Sequence, residues 1–387
     1  MRTVRDIPKL ENIPVLVRVA MNVPVVNGKV MNDYRLRSAL PTIRFLSECG
    51  ARVILISHIG EGGTETLAPI AEALAKLIPR VSFFPETIGV RVRDAVRTLA
   101  PGDILVLENL RRNRGEKMND QAFAHELATL ADVFVQDSFD TCHREHASIV
   151  SVPKLLPAYA GLLLEREVRE LREALAPKSP SLAVIGGAKF STKESVLATL
   201  LEKYDRVFVG GALGNDFLKA AGHSIGKSLS SLTDEASVQN ILENEKLLLP
   251  LDSIVVPAET PITKEALARV RTANVSDIHP DEAILDQGPG TSALLSELAE
   301  KSKTILWNGP LGNYENGFVS GTDAFAEAIA HSDARSVVGG GDTIAAIEDL
   351  GLLSKFSFVS TGGGAMLDFL AKGTLPGIEV LSDQKRD

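Results

Sequence analysis

Cysteine is scarce in this chain: only Cys49 and Cys142 occur among its 387 residues. Two cysteines cannot build a disulfide framework, so we expect a protein of a reducing, cytoplasmic compartment. No run of about eighteen apolar residues occurs, which argues against a membrane-spanning helix. The first residues, MRTVRDIPKL, also lack the apolar core of a signal peptide.

An excess of basic charge is absent as well. The formal net charge is −9, and 44% of the residues are hydrophobic. Nucleic acids and anionic membranes both attract basic surfaces, so we expect neither as a partner. The length is too great for one ordinary hydrophobic core and predicts two domains.

Short apolar runs alternate with amphipathic stretches along the whole chain, which predicts an α/β fold of doubly wound parallel sheets. The predicted strands are PVLVRV, RVILIS, DILVLEN and DVFVQDS in the first half, and SLAVIGG, RVFVGG, DSIVVPA, TILWNG, SVVGGG and FSFVST in the second. Ligands of open parallel sheets bind beyond the carboxyl ends of the strands. Arginine and histidine follow the strands of the first half, whereas glycine follows those of the second. This pattern predicts two lobes that bind two different ligands.

Two glycine triplets, residues 339–341 and 362–364, each join a predicted strand to a predicted helix. A helix N-terminus preceded by glycine presents free backbone N–H groups to an anion. One such junction can be a tight turn and nothing more. Two of them favour phosphate binding. Asp342 follows the first triplet and is a candidate Mg²⁺ contact, with a simple helix N-cap as the alternative.

The segment GGAKFSTKES predicts a helix start, with Ser191 and Glu194 forming a capping box. Lys193 would then lie in the first turn and Lys189 just ahead of it. Cations oppose the helix dipole there, at a cost of about 0.3–1 kcal/mol, unless a phosphate is bound. Two solvated lysines are the alternative interpretation.

Cationic side chains at the ends of the first-half strands can form a pocket for a phosphate and a carboxylate. They are Arg35, His58, Arg111 and Arg144. Scattered surface arginines are the alternative. A Cys-His-x-x-His segment at residue 142 fits no common zinc spacing, and neither a P-loop nor a G-x-G-x-x-G fingerprint occurs.

Taken together, these motifs resemble the phosphoglycerate kinase family over essentially the whole chain. The matching segments are VLVRVAMNVP, DYRLRSALPTIRFL, GARVILISHIG, LENLR, HREHAS, GGAKFSTK, TILWNGPLGNYE, VVGGGDT and STGGGA. The resemblance implies an acid-binding lobe over residues 1–160, a nucleotide-binding lobe over 161–366 that begins with a hinge helix, and a tail over 367–387 that returns to the first lobe. It also implies Mg²⁺-dependent phosphoryl transfer between ATP and 3-phosphoglycerate, giving ADP and 1,3-bisphosphoglycerate, as in glycolysis.

The resemblance assigns roles residue by residue. Catalysis falls to Arg35, Lys189, Lys193, Gly341 and Gly364. The acid substrate is assigned to Ala20, Met21, Asn22, Arg35, His58, Ile59, Gly60, Glu61, Arg111 and Arg144. The nucleotide is assigned to Gly186, Lys193, Gly210, Gly211, Gly288, Asn308, Pro310, Glu315, Gly340, Gly341, Asp342 and Thr343, with Asp342 also at the Mg²⁺ ion.

The chain departs from the family pattern mainly in the acid-binding lobe. Ala20 replaces an aspartate, Glu61 replaces an arginine that grips the substrate phosphate, and Asp140 replaces a glycine. Asn313 replaces an apolar residue in the nucleotide lobe. One lost charge-assisted hydrogen bond costs about 1.5–3 kcal/mol, so acid affinity falls unless neighbours such as Arg112 and Arg114 compensate.

Three interpretations of function follow from this pattern. The first is a working phosphoglycerate kinase, and the second is a kinase of the same fold that acts on a different acid. The third is a nucleotide-binding protein with little catalysis. Retention of Arg35, Lys189, Lys193 and Asp342 argues against the third. The family also implies a monomer.

Overall fold

The structure is a computed structural model that describes residues 1–231, 235–262 and 264–382. The chain forms two compact units. The first comprises Met1–Arg169 with the residues from Thr374 onward, and the second comprises Glu170–Gly373. The predicted lobe limits at residues 160 and 366 precede these divisions. Of the predicted tail, residues 383–387 lie outside the described residues.

The first unit is built around one sheet of six parallel strands. Its elements are β1 (Pro14–Val19), β2 (Val25–Val26), β3 (Lys29–Val30), α1 (Tyr34–Glu48), β4 (Arg52–Ile56), α2 (Ala68–Ala75), β5 (Val81–Phe84), α3 (Val90–Arg97), β6 (Ile104–Leu107), α4 (Arg114–Lys117), α5 (Gln121–Ala128), β7 (Val133–Asp137), α6 (Val152–Leu155) and β8 (Ala158–Ala160). Helix α7 (Leu162–Ala174) begins in this unit, and its residues from Glu170 onward belong to the second. The strand order is β5-β6-β4-β1-β7-β8. Neighbouring strands all pair in parallel.

The central strands are buried on both faces, which explains why they are nearly continuous apolar runs. Every residue of β1 is buried. Helix α1 covers the sheet with Leu36, Ile43 and Leu46, which are spaced for one helical face and are fully buried.

The second unit repeats this plan with its own parallel sheet. Its elements are β9 (Ser181–Ile185), α8 (Glu194–Lys203), β10 (Arg206–Val209), α9 (Gly211–Ala220), α10 (Glu235–Leu242), β11 (Leu247–Leu248), β12 (Asp252–Pro257), β13 (Arg271–Asn274), β14 (Glu282–Gln287), α11 (Pro289–Lys301), β15 (Thr304–Asn308), α12 (Ser320–His331), β16 (Arg335–Gly339), α13 (Gly341–Asp349), β17 (Phe358–Val359) and α14 (Gly363–Lys372). The strand order is β11-β10-β9-β15-β16-β17. From β9 the next strands in sequence are added on one side, and from β15 they are added on the other, so the order in which strands are added switches between β9 and β15. Such a switch point is where α/β sheets bind ligands. The predicted α/β class with two parallel sheets is confirmed.

One predicted parallel strand pairs differently. The run DSIVVP forms β12, which is the centre of a separate antiparallel sheet in the order β13-β12-β14. Its alternation of buried and half-buried residues is typical of a sheet with one covered face. The prediction that it belongs to the parallel sheet is wrong.

A last helix, α15 (Pro376–Ser382), belongs to the first unit. The N–H group of Gly377 donates a hydrogen bond to the carbonyl oxygen of Cys142 at 2.9 Å. A Cβ atom on Gly377 would lie 3.0 Å from Sγ of Cys142, so only glycine allows this approach. Within the described ranges, no helix is both long and apolar enough to cross a membrane.

Candidate active site

Four adjacent strands of the first sheet end at one edge, and each leads into residues predicted to bind the acid substrate. Because β6, β4, β1 and β7 are parallel neighbours, their carboxyl ends meet there. The structure thus brings together residues from four separate segments of the chain. These are Ala20, Met21 and Asn22 after β1, His58, Ile59, Gly60 and Glu61 after β4, Arg111 after β6, and Arg144 after β7.

Arg18 near the end of β1 is a buried scaffold for this edge, with 1% of its surface exposed. Its Nε donates to Oγ of Ser148 at 3.1 Å, and its Nη1 donates to the Val19 carbonyl at 2.8 Å. Its Nη2 lies 2.9 Å from Nδ1 of His58. A guanidinium group can only donate, so Nδ1 of His58 accepts and its proton resides on Nε2.

Two histidines near Arg18 are held neutral. Burial, followed by the positive charges of Arg18 and Arg111, lowers the pKa of His58 well below its usual value. Burial and the same two arginines lower the pKa of His146 to about 4. The positive charge of this edge therefore comes from guanidinium and ammonium groups, and His58 serves as a neutral N–H donor.

A chain of hydrogen bonds links the predicted polar residues. Nη1 of Arg35 donates to the Asn22 carbonyl at 2.7 Å, and Oδ1 of Asn22 accepts from the N–H of Gly60 at 3.2 Å. The carbonyl of Gly60 in turn accepts from Nη1 of Arg111. Gly60 has a φ of +65°, a backbone conformation that favours glycine. These four residues therefore form one connected group.

One edge of the Arg111 guanidinium has hydrogen-bond partners, and the other edge has none among the described residues. Its side chain is only 1% exposed. Its Nε and Nη2 atoms are buried without a hydrogen-bond partner among the described residues. Unpaired buried donors are costly, and this edge of a guanidinium matches the two oxygens of a carboxylate or phosphate. This unpaired edge makes Arg111 a candidate for binding an oxoanion.

Glu61 reaches over the same cations from a loop. Its Oε2 lies 3.1 Å from Nη1 of Arg111, and its Oε1 lies 3.8 Å from Nη2 of Arg144. Nζ of Lys117 is 4.0 Å from Oε2 and donates to the Glu61 carbonyl at 2.5 Å. A carboxylate thus lies among three cations, and we call Arg111, Arg144 and Lys117 the cation cluster.

The two arginines predicted to compensate for Glu61 are not part of these ion pairs. Nη1 of Arg112 lies 3.1 Å from Oε2 of Glu108, and its Nη2 donates to the Thr64 carbonyl at 3.2 Å. Arg114 is exposed at the start of α4. Lys117 at the end of α4, which the sequence did not single out, reaches Glu61 instead.

Three of the residues assigned to the acid substrate have buried side chains. Ala20 and Met21 are 0% exposed and Ile59 is 5% exposed. Only their backbone can serve a ligand. The N–H of Met21 donates to Oγ of Ser57 at 3.2 Å, which holds this turn against β4.

In the second unit, the two glycine triplets lie side by side. Strand β16 ends at Gly339 and α13 begins at Gly341, while α14 begins at Gly363 after β17. Gly340 has a φ of +105°. A Cβ atom on Gly363 would lie 3.7 Å from the Cα atom of Gly340. Gly364 follows in the first turn of α14. The predicted strand–glycine–helix junctions are confirmed, and two helix N-termini open beside each other.

Asp342 and Thr343 lie in the first turn of α13. The N-cap position is Gly340, so the alternative of Asp342 as a simple N-cap is wrong. Asp342 is exposed, whereas Thr343 is buried and its Oγ1 accepts from the N–H of Gly309 at 3.1 Å. Within the described part of the chain, no group of three or more acidic, histidine or cysteine side chains could hold a metal ion. One exposed carboxylate beside two helix N-termini fits Mg²⁺, which takes its other oxygens from phosphates and water.

The predicted capping box ahead of α8 is wrong. Residues Phe190–Thr192 form a 3₁₀ turn that contains Ser191, closed by a bond from the N–H of Lys193 to the Phe190 carbonyl at 2.7 Å. Lys193 is itself the N-cap residue of α8, and Glu194 is the first residue of that helix. The extra turn moves the lysine back from the first helical turn to the helix entrance.

The two lysines of this segment differ in environment. Lys189 is exposed, whereas Lys193 is 9% exposed. Burial lowers the pKa of Lys193. Its Nζ would lie 3.2 Å from a Cβ atom on Gly187, so the ammonium group borders the loop after β9. A buried ammonium beside bare backbone is suited to a phosphate ligand.

The switch point between β9 and β15 is lined by backbone. The N–H of Gly186 donates to the Asn308 carbonyl at 2.8 Å, and that of Gly187 donates to the Pro310 carbonyl at 3.0 Å. A Cβ atom on Gly186 or Gly211 would lie 2.2 Å or 2.9 Å from the Pro310 oxygen. Any larger residue at either position would push these segments apart.

A cavity of about 520 Å³ opens beside this switch point, within the size range of small-molecule sites. Four predicted nucleotide-binding residues line it: Gly211, Pro310, Glu315 and Asp342. The others do not line this cavity, namely Gly186, Lys193, Gly210, Gly288, Asn308, Gly340, Gly341 and Thr343. Of these, Gly186 adjoins the lining residue Pro310, whose carbonyl oxygen would lie 2.2 Å from a Cβ atom on Gly186.

Much of the cavity wall escaped prediction. Apolar side chains from α9 and β14 and from nearby loops form it, and Leu218, Leu229, Ile284, Leu285 and Leu311 are among them. In sequence these residues are indistinguishable from core, because a base-binding wall and a core need the same side chains. No local signal could have found them.

The fold is that of a two-unit α/β phosphotransferase, with a candidate oxoanion site in one unit and a cavity beside helix N-termini in the other. The family model described as phosphoglycerate kinase matches residues 4–373. The chain belongs to the phosphoglycerate kinase family.

Individual relatives are similar over nearly their full length. The chain is 42% identical to a phosphoglycerate kinase of Moorella thermoacetica, with 99% of each chain covered. It is 44% identical to that of Francisella philomiragia, covering 99% of this chain and 98% of the relative.

Two solved structures of phosphoglycerate kinases are similar to this chain over nearly its full length. Phosphoglycerate kinase from Coxiella burnetii is similar with a TM-score of 0.83, 40% identity and 99% of each chain covered. The enzyme from Pyrococcus horikoshii is similar with a TM-score of 0.88 and 29% identity, covering 99% of this chain and 98% of the other.

Proposed function

We propose that this chain reversibly transfers a phosphoryl group between ATP and the carboxylate of 3-phosphoglycerate, with Mg²⁺ accompanying the nucleotide. The observation that carries the proposal is the buried, unpaired edge of Arg111 within a group of cations at the strand ends. An acid that bears a phosphate supplies two oxoanions, and this edge takes one of them.

The acid binds in the first unit. Arg111 receives one oxoanion through Nε and Nη2, and Arg144 adds a second charge. His58 is neutral and donates from Nε2, so it orients an oxygen without adding charge. Arg35 is fixed by its bond to the Asn22 carbonyl and stabilises the charge of the phosphoryl group in transfer.

The nucleotide binds in the second unit. The apolar wall of the cavity holds the base, and the N-termini of α13 and α14 receive phosphate oxygens. Lys193 and Lys189 contact the transferred phosphoryl group and its neighbours. Asp342 would hold the Mg²⁺ ion, which would supply neutralisation of the phosphate charge.

Phosphoryl transfer demands little covalent chemistry from a protein. Its rate comes from alignment of the reactants and from charges set in place before the reaction. The group formed by Arg35, Asn22, Gly60 and Arg111 supports such a role, because each member is held by the next. No member needs to reorganise when charge develops.

A kinase for a different acid is the second candidate. Glu61 supports it, because a carboxylate over the cation cluster disfavours the most highly charged acids. Ala20 offers no polar side chain to a substrate hydroxyl. An acid without a phosphate would suit such a site.

The test is phosphorylation of ADP by 1,3-bisphosphoglycerate with Mg²⁺, comparing the wild type with Arg35→Ala and Arg37→Ala. Both arginines lie in the first turn of α1, but Arg37 is exposed and pairs with Asp33 at 2.8 Å. We expect fast turnover in the wild type and in Arg37→Ala, and a loss of orders of magnitude in Arg35→Ala. Absent turnover in a wild type that still binds ADP would refute the proposal and favour another acid.

A further inference from the structure

Glu61 occupies an unusual position for an exposed residue. Its side chain is 76% exposed, yet its carboxylate is 3.1 Å from a guanidinium nitrogen of the buried Arg111. The distances to Arg144 and Lys117, 3.8 Å and 4.0 Å, are long for ion pairs. The carboxylate thus forms one ion pair, with Arg111, and lies within longer reach of two further cations.

The backbone around Glu61, in contrast, is firmly held. The Gly60 N–H and carbonyl bond to Asn22 and Arg111, and the Glu61 carbonyl accepts from Lys117. A Cβ atom on Gly63, which has a φ of +78°, would lie 2.2 Å from the Arg111 carbonyl oxygen. The loop therefore stays against Arg111 while the Glu61 side chain remains free to rotate into solvent.

Arg111 is shared between two anionic positions. Its Nη1 edge is taken by the Gly60 carbonyl and Glu61, and its Nε–Nη2 edge is buried and has no partner in the described residues. An oxoanion on the second edge would approach a carboxylate already present at the first. Like charges at this separation repel, so one anion weakens the other.

We propose that Glu61 is a built-in competitor of the anionic substrate: its carboxylate lies over the cation cluster and must swing aside when an oxoanion binds. This inference rests on the proposed function for the identity of the substrate, but not for the effect on simple anions. Glu61 thereby sets the affinity of the acid site and selects against highly charged acids.

The size of the effect follows from exposure. Solvent screens an exposed carboxylate, so its displacement costs little compared with that of a buried ion pair. We expect Glu61→Gln to tighten oxoanion binding about fivefold, since three cations lose one shared competitor. The turnover number should change much less than KM of the acid, because Glu61 contacts cations rather than reacting atoms.

The test measures binding of sulfate and, separately, of 3-phosphoglycerate to the full-length protein by isothermal titration calorimetry. Glu145→Gln is the matched control: Glu145 is exposed and adjoins Arg144 in sequence, and the change removes the same charge. Glu61→Gln should lower Kd for both anions about fivefold, and Glu145→Gln should change it less than twofold.

Equal Kd values in Glu61→Gln and Glu145→Gln would overturn the inference, since only general charge would then matter. Weaker binding in Glu61→Gln would also overturn it, because Glu61 would then be ordering the cation cluster. The sulfate arm remains decisive if the wild type shows no turnover with 3-phosphoglycerate. Tighter sulfate binding without turnover would sustain the competitor role and reject the proposed function alone.

Discussion

His58 accepts a hydrogen bond at Nδ1 from Nη2 of Arg18, over 2.9 Å, with both side chains buried. The bond assigns the ring proton to Nε2, because a guanidinium cannot accept. It also makes protonation of the ring unfavourable, since a second cation would face Arg18. The imidazole is therefore a directed neutral donor at the edge where the acid is proposed to bind.

This relationship predicts that His58 does not titrate in the ordinary histidine range. Burial and Arg18 lower its pKa well below the usual 6.5. In ¹⁵N NMR spectra of the protein, the ring of His58 should keep the signature of the Nε2–H tautomer from pH 8 to about 5. A His58 transition near pH 6.5 would contradict the prediction.

His146 should make the protein less stable in mild acid. Its folded-state pKa of about 4 lies below the unfolded value near 6.5, so the unfolded chain binds the proton first. The stability contributed by the neutral ring is present above pH 6.5 and is lost as pH falls towards 4. Urea unfolding of wild type and His146→Gln should therefore converge or cross as pH falls through this window, and parallel curves would disprove the assignment.

Replacing Lys193 should lower activity without lowering stability. It is a buried cation whose pKa is lowered by burial, so Lys193→Met removes a costly charge. We expect the free energy of unfolding to stay equal or to rise by about 1 kcal/mol. We also expect kcat to fall by at least about a hundredfold. Exposed Lys203, in the last turn of the same helix, gives the control Lys203→Met, in which kcat should be unchanged.

Two substitutions in the first glycine triplet should have different effects, one on stability and the other on ligand binding. Gly340 has a φ of +105°, whereas a Cβ atom on Gly341 would meet nothing within 4 Å. Gly340→Ala should lower the free energy of unfolding by about 1–2 kcal/mol. Gly341→Ala should leave stability intact and weaken ADP binding, because the new methyl group stands at the helix N-terminus. Urea unfolding and calorimetric titration with ADP measure the two effects, and identical stabilities would refute the first expectation.

The arrangement of the site along the strands was predictable, because alternating apolar runs predict parallel strands whose ends meet. His58, Arg111 and Arg144 follow strands that end at one sheet edge, and Arg35 contacts Asn22 at that edge. The glycine triplets likewise adjoin each other. In these cases the residue type and its position in a local pattern were enough.

The errors arose where distant contacts decide the structure. The sequence of strand β12 has the same apolar pattern as the buried parallel strands. Only its pairing with β13 and β14 makes it antiparallel. Ser191 has the spacing of a capping box, but a 3₁₀ turn places Lys193 at the N-cap instead. Lys117 reaches Glu61 across 56 positions, a contact that no local pattern encodes.

Helix α15 affects the order in which the two units can fold during synthesis. The first unit needs residues from Thr374 onward, including the bond from Gly377 to Cys142 that packs α15 beside the segment carrying Arg144. A ribosome releases those residues only after the whole second unit has been translated. Although amino-terminal domains generally fold first during translation, this one must wait for its last helix. A nascent chain should therefore complete the unit proposed to bind the nucleotide before the unit proposed to bind the acid.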